Sequence, residues 1–304
     1  MISLFRPVVP RDGGFFAATS AFGIVGSLTS AVLTIVAFPP YNLGWVAWLA
    51  LVPLLLSLQG RSLQTGFFLG WLYGLAAMYG LCYWIFQVPG FRWYHGFFLA
   101  MYLGMFPAAW AVILCLCWKN NPYLFLLGPT FWVLLDYVKA HAGFLAYPWT
   151  TFDLSQHVFL PFLQIASVTG GYGITFLLIL FNLALAKAIQ IRMVRPVLVP
   201  ILFVSMVMVW GNRQICQPVD APSLRVAAIQ PAILLRERKS EAGLANSRRR
   251  LQELTQKAAS RHAELIIWPE TALRNLANHP EVQQWVEQLA ASTGKHTCKI
   301  IYNI

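Results

Sequence analysis

Leu265-Ile266-Ile267-Trp268-Pro269-Glu270 is a short apolar, β-branched run closed by a proline, with a carboxylate immediately after it. A run of this length and composition reads as a buried central strand. Pro269 has no N–H to give to a sheet ladder, so the strand stops there. Glu270 then stands at the strand's carboxyl end, where open α/β sheets place their chemistry. Upstream, Leu224-Arg225-Val226-Ala227-Ala228-Ile229-Gln230 has the same strand character, and a helical pattern from about Glu241 to Arg261 separates the two. Within that helix Leu244, Leu251, Leu254 and Ala258 share one face. Arg248-Arg249-Arg250 runs through it and reads as a solvated face, with anionic lipid headgroups as the other reading. Past Glu270, His279-Pro280 opens a helix over Glu281 to Ser292, and Lys299 to Asn303 forms a further strand.

Outward from this α/β unit the solvent changes. The whole chain of 304 residues is 58% hydrophobic, 14% aromatic and 11% charged, with mean hydropathy +0.60. Soluble domains carry about 25% charged residues, so this composition is that of an integral membrane protein. The charge is uneven. Residues 1–212 hold nine Lys/Arg and three acids (Asp12, Asp136, Asp153), whereas residues 213–304 hold thirteen and eight. Two domains follow: 1–212, a transmembrane helical bundle of about seven spans, and 213–304, the α/β unit. The expected spans are about Phe15–Phe38, Leu43–Leu58, Thr65–Val88, Gly96–Trp118, Tyr123–Val138, Leu160–Ala186 and Pro196–Trp210. Gln217-Pro218-Val219-Asp220-Ala221-Pro222 is a proline-stiffened linker.

The basic residues orient the bundle. With a cytoplasmic N-terminus, Arg6, Arg11, Arg61, Lys119, Lys187, Arg192 and Arg195 fall on the cytoplasmic side, and only Arg92 and Lys139 fall outside. An odd number of spans then puts the C-terminal domain in the periplasm or its equivalent. The same placement explains the formal net charge of +11 through membrane insertion, so no nucleic-acid partner is expected. The five cysteines (Cys82, Cys115, Cys117, Cys216, Cys298) show no metal-ligand spacing. No cofactor and no metal site are expected.

Several polar residues stand where polarity is costly. Asp136 lies inside the fifth span with Lys139 one turn later; an intramembrane acid suggests function, and an i,i+3 pair suggests mutual neutralisation. His141, Asp153 and His157 share an aromatic loop, residues 139–157, and read as loop structure. Tyr147-Pro148-Trp149 suits a segment lying at the membrane interface. Gly170-Gly171-Tyr172-Gly173 lacks the strand and the Lys-Ser/Thr of a phosphate loop, and close helix packing accounts for it. Glu270 is the catalytic candidate: a carboxylate after a buried strand can be a general base, or can merely cap a turn.

Four motifs carry a resemblance. Ala37-Phe38-Pro39-Pro40-Tyr41, Tyr147-Pro148-Trp149, Ala228-Ile229-Gln230-Pro231 and Leu265-Ile266-Ile267-Trp268-Pro269-Glu270, in this order behind a multi-span bundle, resemble the apolipoprotein N-acyltransferases of bacterial membranes. The last is similar to the base-bearing strand of the nitrilase (carbon–nitrogen hydrolase) superfamily. The resemblance implies a multi-span membrane domain followed by a partial nitrilase-like α-β-β-α sandwich, located in the bacterial inner membrane. It implies transfer of an acyl chain from a phospholipid donor to the N-terminal amine of a diacylglyceryl-cysteine lipoprotein, the last step of lipoprotein maturation. It makes Glu270 the general base, beside a cysteine nucleophile and a lysine that stabilises the oxyanion.

In the family that cysteine and lysine come well downstream of the glutamate, whereas Ile304 follows Glu270 by 34 positions. Cys298, Lys295 and Lys299 stand where the family has no catalytic residue. The chain is therefore expected to be a truncated, inactive form. The competing reading is a non-catalytic membrane protein that binds lipid or lipoprotein. A transporter fits less well, because no two-half repeat is visible.

Overall fold

The structure is a computed structural model that describes residues 21–88, 90–118, 123–218, 221–232, 240–269, 272, 280–292 and 299–301. The chain divides into two compact units, Met1–Gln217 and Pro218–Ile304.

The first unit is helical. Among the described residues its α-helices are α1 (Ala21–Ala37), α2 (Val52–Ser57), α3 (Leu63–Leu81), α4 (Trp93–Cys117), α5 (Leu124–Ala140), α6 (Leu160–Leu163), α7 (Ala166–Ile191) and α8 (Arg195–Ile215). Among the described residues, α4, α7 and α8 are long and apolar enough to cross a membrane. The apolar side chains of α8 face outward, with Val199, Leu202, Phe203, Met206 and Val209 all exposed. An apolar helix that the protein leaves uncovered needs lipid as its solvent.

Small residues set the packing. On α1 the buried positions Gly23, Gly26, Ser27, Ser30, Ala31 and Thr34 recur at helical spacing and make a flat face. Between α3 and α4 the backbones touch: a Cβ added at Gly74 would stand 2.7 Å from Gly104 Cα. Such small-residue contacts replace the hydrophobic drive that lipid removes. Trp110 of α4 fills the core, donating from Nε1 to the Gly128 carbonyl at 2.8 Å and meeting Trp132 edge to face at 4.7 Å.

Three expected spans are broken where hydropathy reads them as continuous. Leu43–Leu58 is a 3-10 turn over Gly44–Trp48 and then α2, with Leu49–Leu51 between. A break in an apolar interior leaves backbone groups to be satisfied by side chains. Asn182 of α7 does this: its Oδ1 accepts from Leu51 N–H at 2.9 Å, and its Nδ2 donates to the carbonyls of Ala47 and Leu178, each at 2.9 Å. Ser30 Oγ accepts from Leu54 N–H at 2.9 Å. Asn182→Leu is therefore expected to cost about 1–3 kcal/mol for each buried group left unmet, read as a lowered unfolding midpoint in detergent. An unchanged midpoint would remove Asn182 from this role.

The expected span Thr65–Val88 is α3 to Leu81 followed by a 3-10 turn over Tyr83–Gln87. The expected span Leu160–Ala186 is α6 and then α7, and inside α7 Gly170 has φ 63° and ψ −173°. That backbone region is almost confined to glycine. Gly171 stands against the Asp153 side chain, with no room for a Cβ. The Gly170–Gly173 run thus serves a kink and a loop contact, a correction to its reading as helix–helix packing.

The second unit contains parallel strands β1 (Val226–Ala228), β2 (Leu265–Ile267) and β3 (Lys299–Ile301) in the order β1-β2-β3. Helix α9 (Glu241–Ser260) connects β1 to β2, and α10 (Pro280–Ser292) lies between β2 and β3 in sequence. Ser240 caps α9, its Oγ accepting from Gly243 N–H at 3.1 Å. β2 is central in the described sheet, with Leu265 paired to Val226 on one side and to Lys299 on the other. Among the described residues its covering helices lie on one face. Ile266 is 0% exposed, packed with Trp268 against Leu251 and Ala258 of α9 and Val282, Val286 and Leu289 of α10, whereas Ile267 is 38% exposed. Both helices lie on the Ile266 side, so the period of two along the strand decides which residue is covered. Leu254 is partly buried beside Leu251, and Arg248, Arg249 and Arg250 are exposed, so the apolar and solvated faces of α9 fall where the sequence places them.

Candidate functional site

In the second unit the strand that leads to Glu270 is tightly held. Trp268, just past β2, donates from Nε1 to Thr255 Oγ1 of α9 at 3.1 Å, and its ring lies 5.7 Å from that of Trp285 of α10. The Pro269 carbonyl accepts from Ala272 N–H at 3.1 Å. Glu270 itself, like Lys295 and Cys298, lies outside the described residues, and Lys299 opens β3.

In the first unit the polar residues of the core gather around α5. Lys139 Nζ meets Asp136 Oδ1 at 2.8 Å, and Trp132 Nε1 donates to Asp136 Oδ2 at 3.0 Å. Lys139 is 2% and Asp136 6% exposed. Of the two sequence readings of Asp136, mutual neutralisation is what the geometry gives. One turn of helix places the pair, and Trp132, one turn before, holds the second carboxylate oxygen. The same helix end anchors the aromatic loop, because the Lys139 carbonyl accepts from Tyr147 N–H at 2.8 Å.

The loop is only partly a surface segment. Tyr147 is buried, with its hydroxyl 3.0 Å from the Cys82 thiol. Burial, reinforced by that hydrogen bond, pushes the Tyr147 phenol well above the ordinary tyrosine range, so it stays protonated. Trp149 points outward and meets Trp84 edge to face at 5.8 Å. These two tryptophans, with Phe38, Pro39, Leu81, Thr150 and Leu154, line an open groove of about 490 Å³. His141 stacks on Tyr137 at 4.1 Å, His157 Nδ1 lies 3.2 Å from the Leu154 carbonyl, and Asp153 bonds Thr175. The structure does not bring the three together. Among the described residues no group of three or more His, Cys, Asp or Glu is placed to hold a metal ion.

Sequence reasoning missed Asn182 and Gln156. Gln156 is fully buried, accepting from Trp48 Nε1 at 3.1 Å and donating to the Gly44 carbonyl at 2.8 Å. Their signal was present: an amide among apolar residues must find partners, and a broken span supplies them.

The comparisons with known proteins agree with this architecture. The profile of the apolipoprotein N-acyltransferase N-terminal domain matches residues 30–184, which include α2 to α6 and most of α7. The apolipoprotein N-acyltransferase of Geobacter metallireducens is 30% identical over 265 residues, covering 81% of this chain and 50% of that protein. The one from Photobacterium profundum is 27% identical, covering 85% of this chain and 52% of its own length. The one from Chlorobaculum tepidum is 29% identical, with 86% and 51% covered. The chain spans about half the length of these curated relatives. A family profile that matches this much of the chain fixes its membership: the chain belongs to the apolipoprotein N-acyltransferase family.

Proposed function

We propose that this chain serves the transfer of a phospholipid acyl group to the N-terminal amine of a diacylglyceryl-cysteine lipoprotein, in the bacterial inner membrane. The match of its membrane unit to the N-terminal domain of the family carries this reading. The parallel β1-α9-β2 unit supports the finer part, a nitrilase-like domain in which Glu270 follows the central strand and acts as general base. In this reading a thiolate attacks the ester carbonyl, the lysophospholipid leaves, and a thioester remains. The amine of the acceptor then attacks the thioester and the thiol departs. Glu270 takes the thiol proton and passes it to the departing lysophospholipid oxygen, then takes the amine proton and returns it to the departing thiolate. Both substrates are lipids, so a membrane bundle is the natural carrier for such a site.

The test uses the natural gene product containing residues 1–304, expressed in membranes depleted of their own acyltransferase. Triacylated lipoprotein, identified by mass, is the expected product. Diacylated lipoprotein alone would turn the reading to a non-catalytic membrane protein that binds lipid or lipoprotein. Orientation is tested in the same cells: a reporter fused after Cys216 should be active only in the periplasm, as the basic loops require. Cytoplasmic activity would overturn the topology and, with it, access to a lipoprotein acceptor.

A further inference from the structure

Lys139 has one N–H satisfied and two to spare. Its ammonium carries three donors, and among the described residues Asp136 Oδ1 is the one acceptor it meets. It is buried, at 2% exposure. Beside it lies a cavity of about 20 Å³ bordered by Asp136, Lys139 and Thr150, with Met78, Leu103, Trp110 and Leu135 among its apolar walls. Size and charge limit the occupant. About 10–15 Å³ is enough for one water, and a buried water needs two to four polar partners. The volume is too small for a phosphate or an ester headgroup. Asp136 already balances the charge of Lys139, so the cavity asks for a neutral acceptor and not for an anion.

Thr150 supplies the other end. Its hydroxyl lies 2.6 Å from the Trp149 carbonyl and 3.4 Å from Met78 Sδ, each an acceptor for its one hydrogen, and either choice leaves the lone pairs of Oγ1 free to accept. Its backbone is also unusual: φ is 62°, costly for a β-branched residue. Such a conformation persists only where its surroundings hold it.

We propose that this cavity is a built site for one ordered water, which accepts from Lys139 Nζ and donates to Thr150 Oγ1 and to the Asp136 carboxylate. The water completes the coordination of the buried ammonium. It also ties the left-handed Thr150 to α5, and Thr150 stands next to Trp149 in the wall of the open groove.

The experiment has two arms, both on the full chain in lipid nanodiscs. A structure at a resolution that shows ordered water should have a single peak at about 2.7–3.2 Å from Lys139 Nζ and Thr150 Oγ1. A double-mutant cycle gives the second arm. Thr150→Val should lower the unfolding midpoint by about 2–4 °C in the native background. The loss should be clearly smaller when the pair is replaced by Asp136→Leu with Lys139→Met, because the water has then lost its donor. The Trp149 carbonyl contact is lost equally in both backgrounds and cancels. Equal losses in the two backgrounds, or density for a larger group in the cavity, would overturn the proposal. Where the Leu/Met background does not fold, the density alone decides.

Discussion

Asp136→Ala is expected to destabilise the membrane unit by about 3–5 kcal/mol, because it leaves the Lys139 ammonium buried without its counter-charge. Lys139→Ala should cost a similar amount. The carboxylate would keep only the Trp132 indole N–H, at 3.0 Å, as a described partner. The cost comes from the orphaned charge and not from the attraction lost, which separates this pair from an exposed one. Arg249 and Glu253, 3.7 Å apart and both largely exposed, should change stability by no more than about 1 kcal/mol when either is removed. Replacing both core partners with apolar residues of similar volume, Asp136→Leu with Lys139→Met, should therefore cost far less than either single change. Unfolding in detergent, followed by the near-ultraviolet signal of the buried tryptophans, reads all three variants. Two single losses that simply add in the double variant would mean that the residues do not act as a pair.

The pair was legible because its spacing is local: residues three apart on one helix meet whatever the rest of the fold does. The same holds for β2, where a β-branched run ending in proline allows few alternatives, and for α9, whose period places Leu251 and Ala258 inward. The break in the second expected span was not legible. It is held by Asn182, 131 positions away from Leu51, and hydropathy has no way to report a side chain that bonds to a distant backbone. Gly170 misled for a related reason. Glycine in an apolar helix suits both close packing and a left-handed backbone, and only the dihedral angles decide between them.

The larger functional effect is expected at Glu270, the proposed general base. Glu270→Gln should lower acyl transfer by about 10²–10⁴-fold while leaving folding intact. Glutamine keeps the length, planarity and hydrogen-bonding reach of the side chain, but it has no lone pair basic enough to take the thiol proton. The thiolate fraction then falls to what the thiol's own acidity provides, and thioester formation slows. The same substitution tests the structural alternative. If Glu270 only caps the turn after Trp268-Pro269, the Gln amide oxygen can accept the same backbone N–H, and activity should stay near native. Only Glu270→Ala would then reduce it, by weakening the fold. The measurement is single-turnover thioester formation from a phospholipid donor by the natural gene product, with the unfolding midpoint of each variant recorded alongside. A base role also requires the native rate to fall as pH drops through the pKa of Glu270, with that dependence absent in the Gln variant. Thioester formation at the native rate in Glu270→Gln would move the base to another residue and leave Glu270 as a cap.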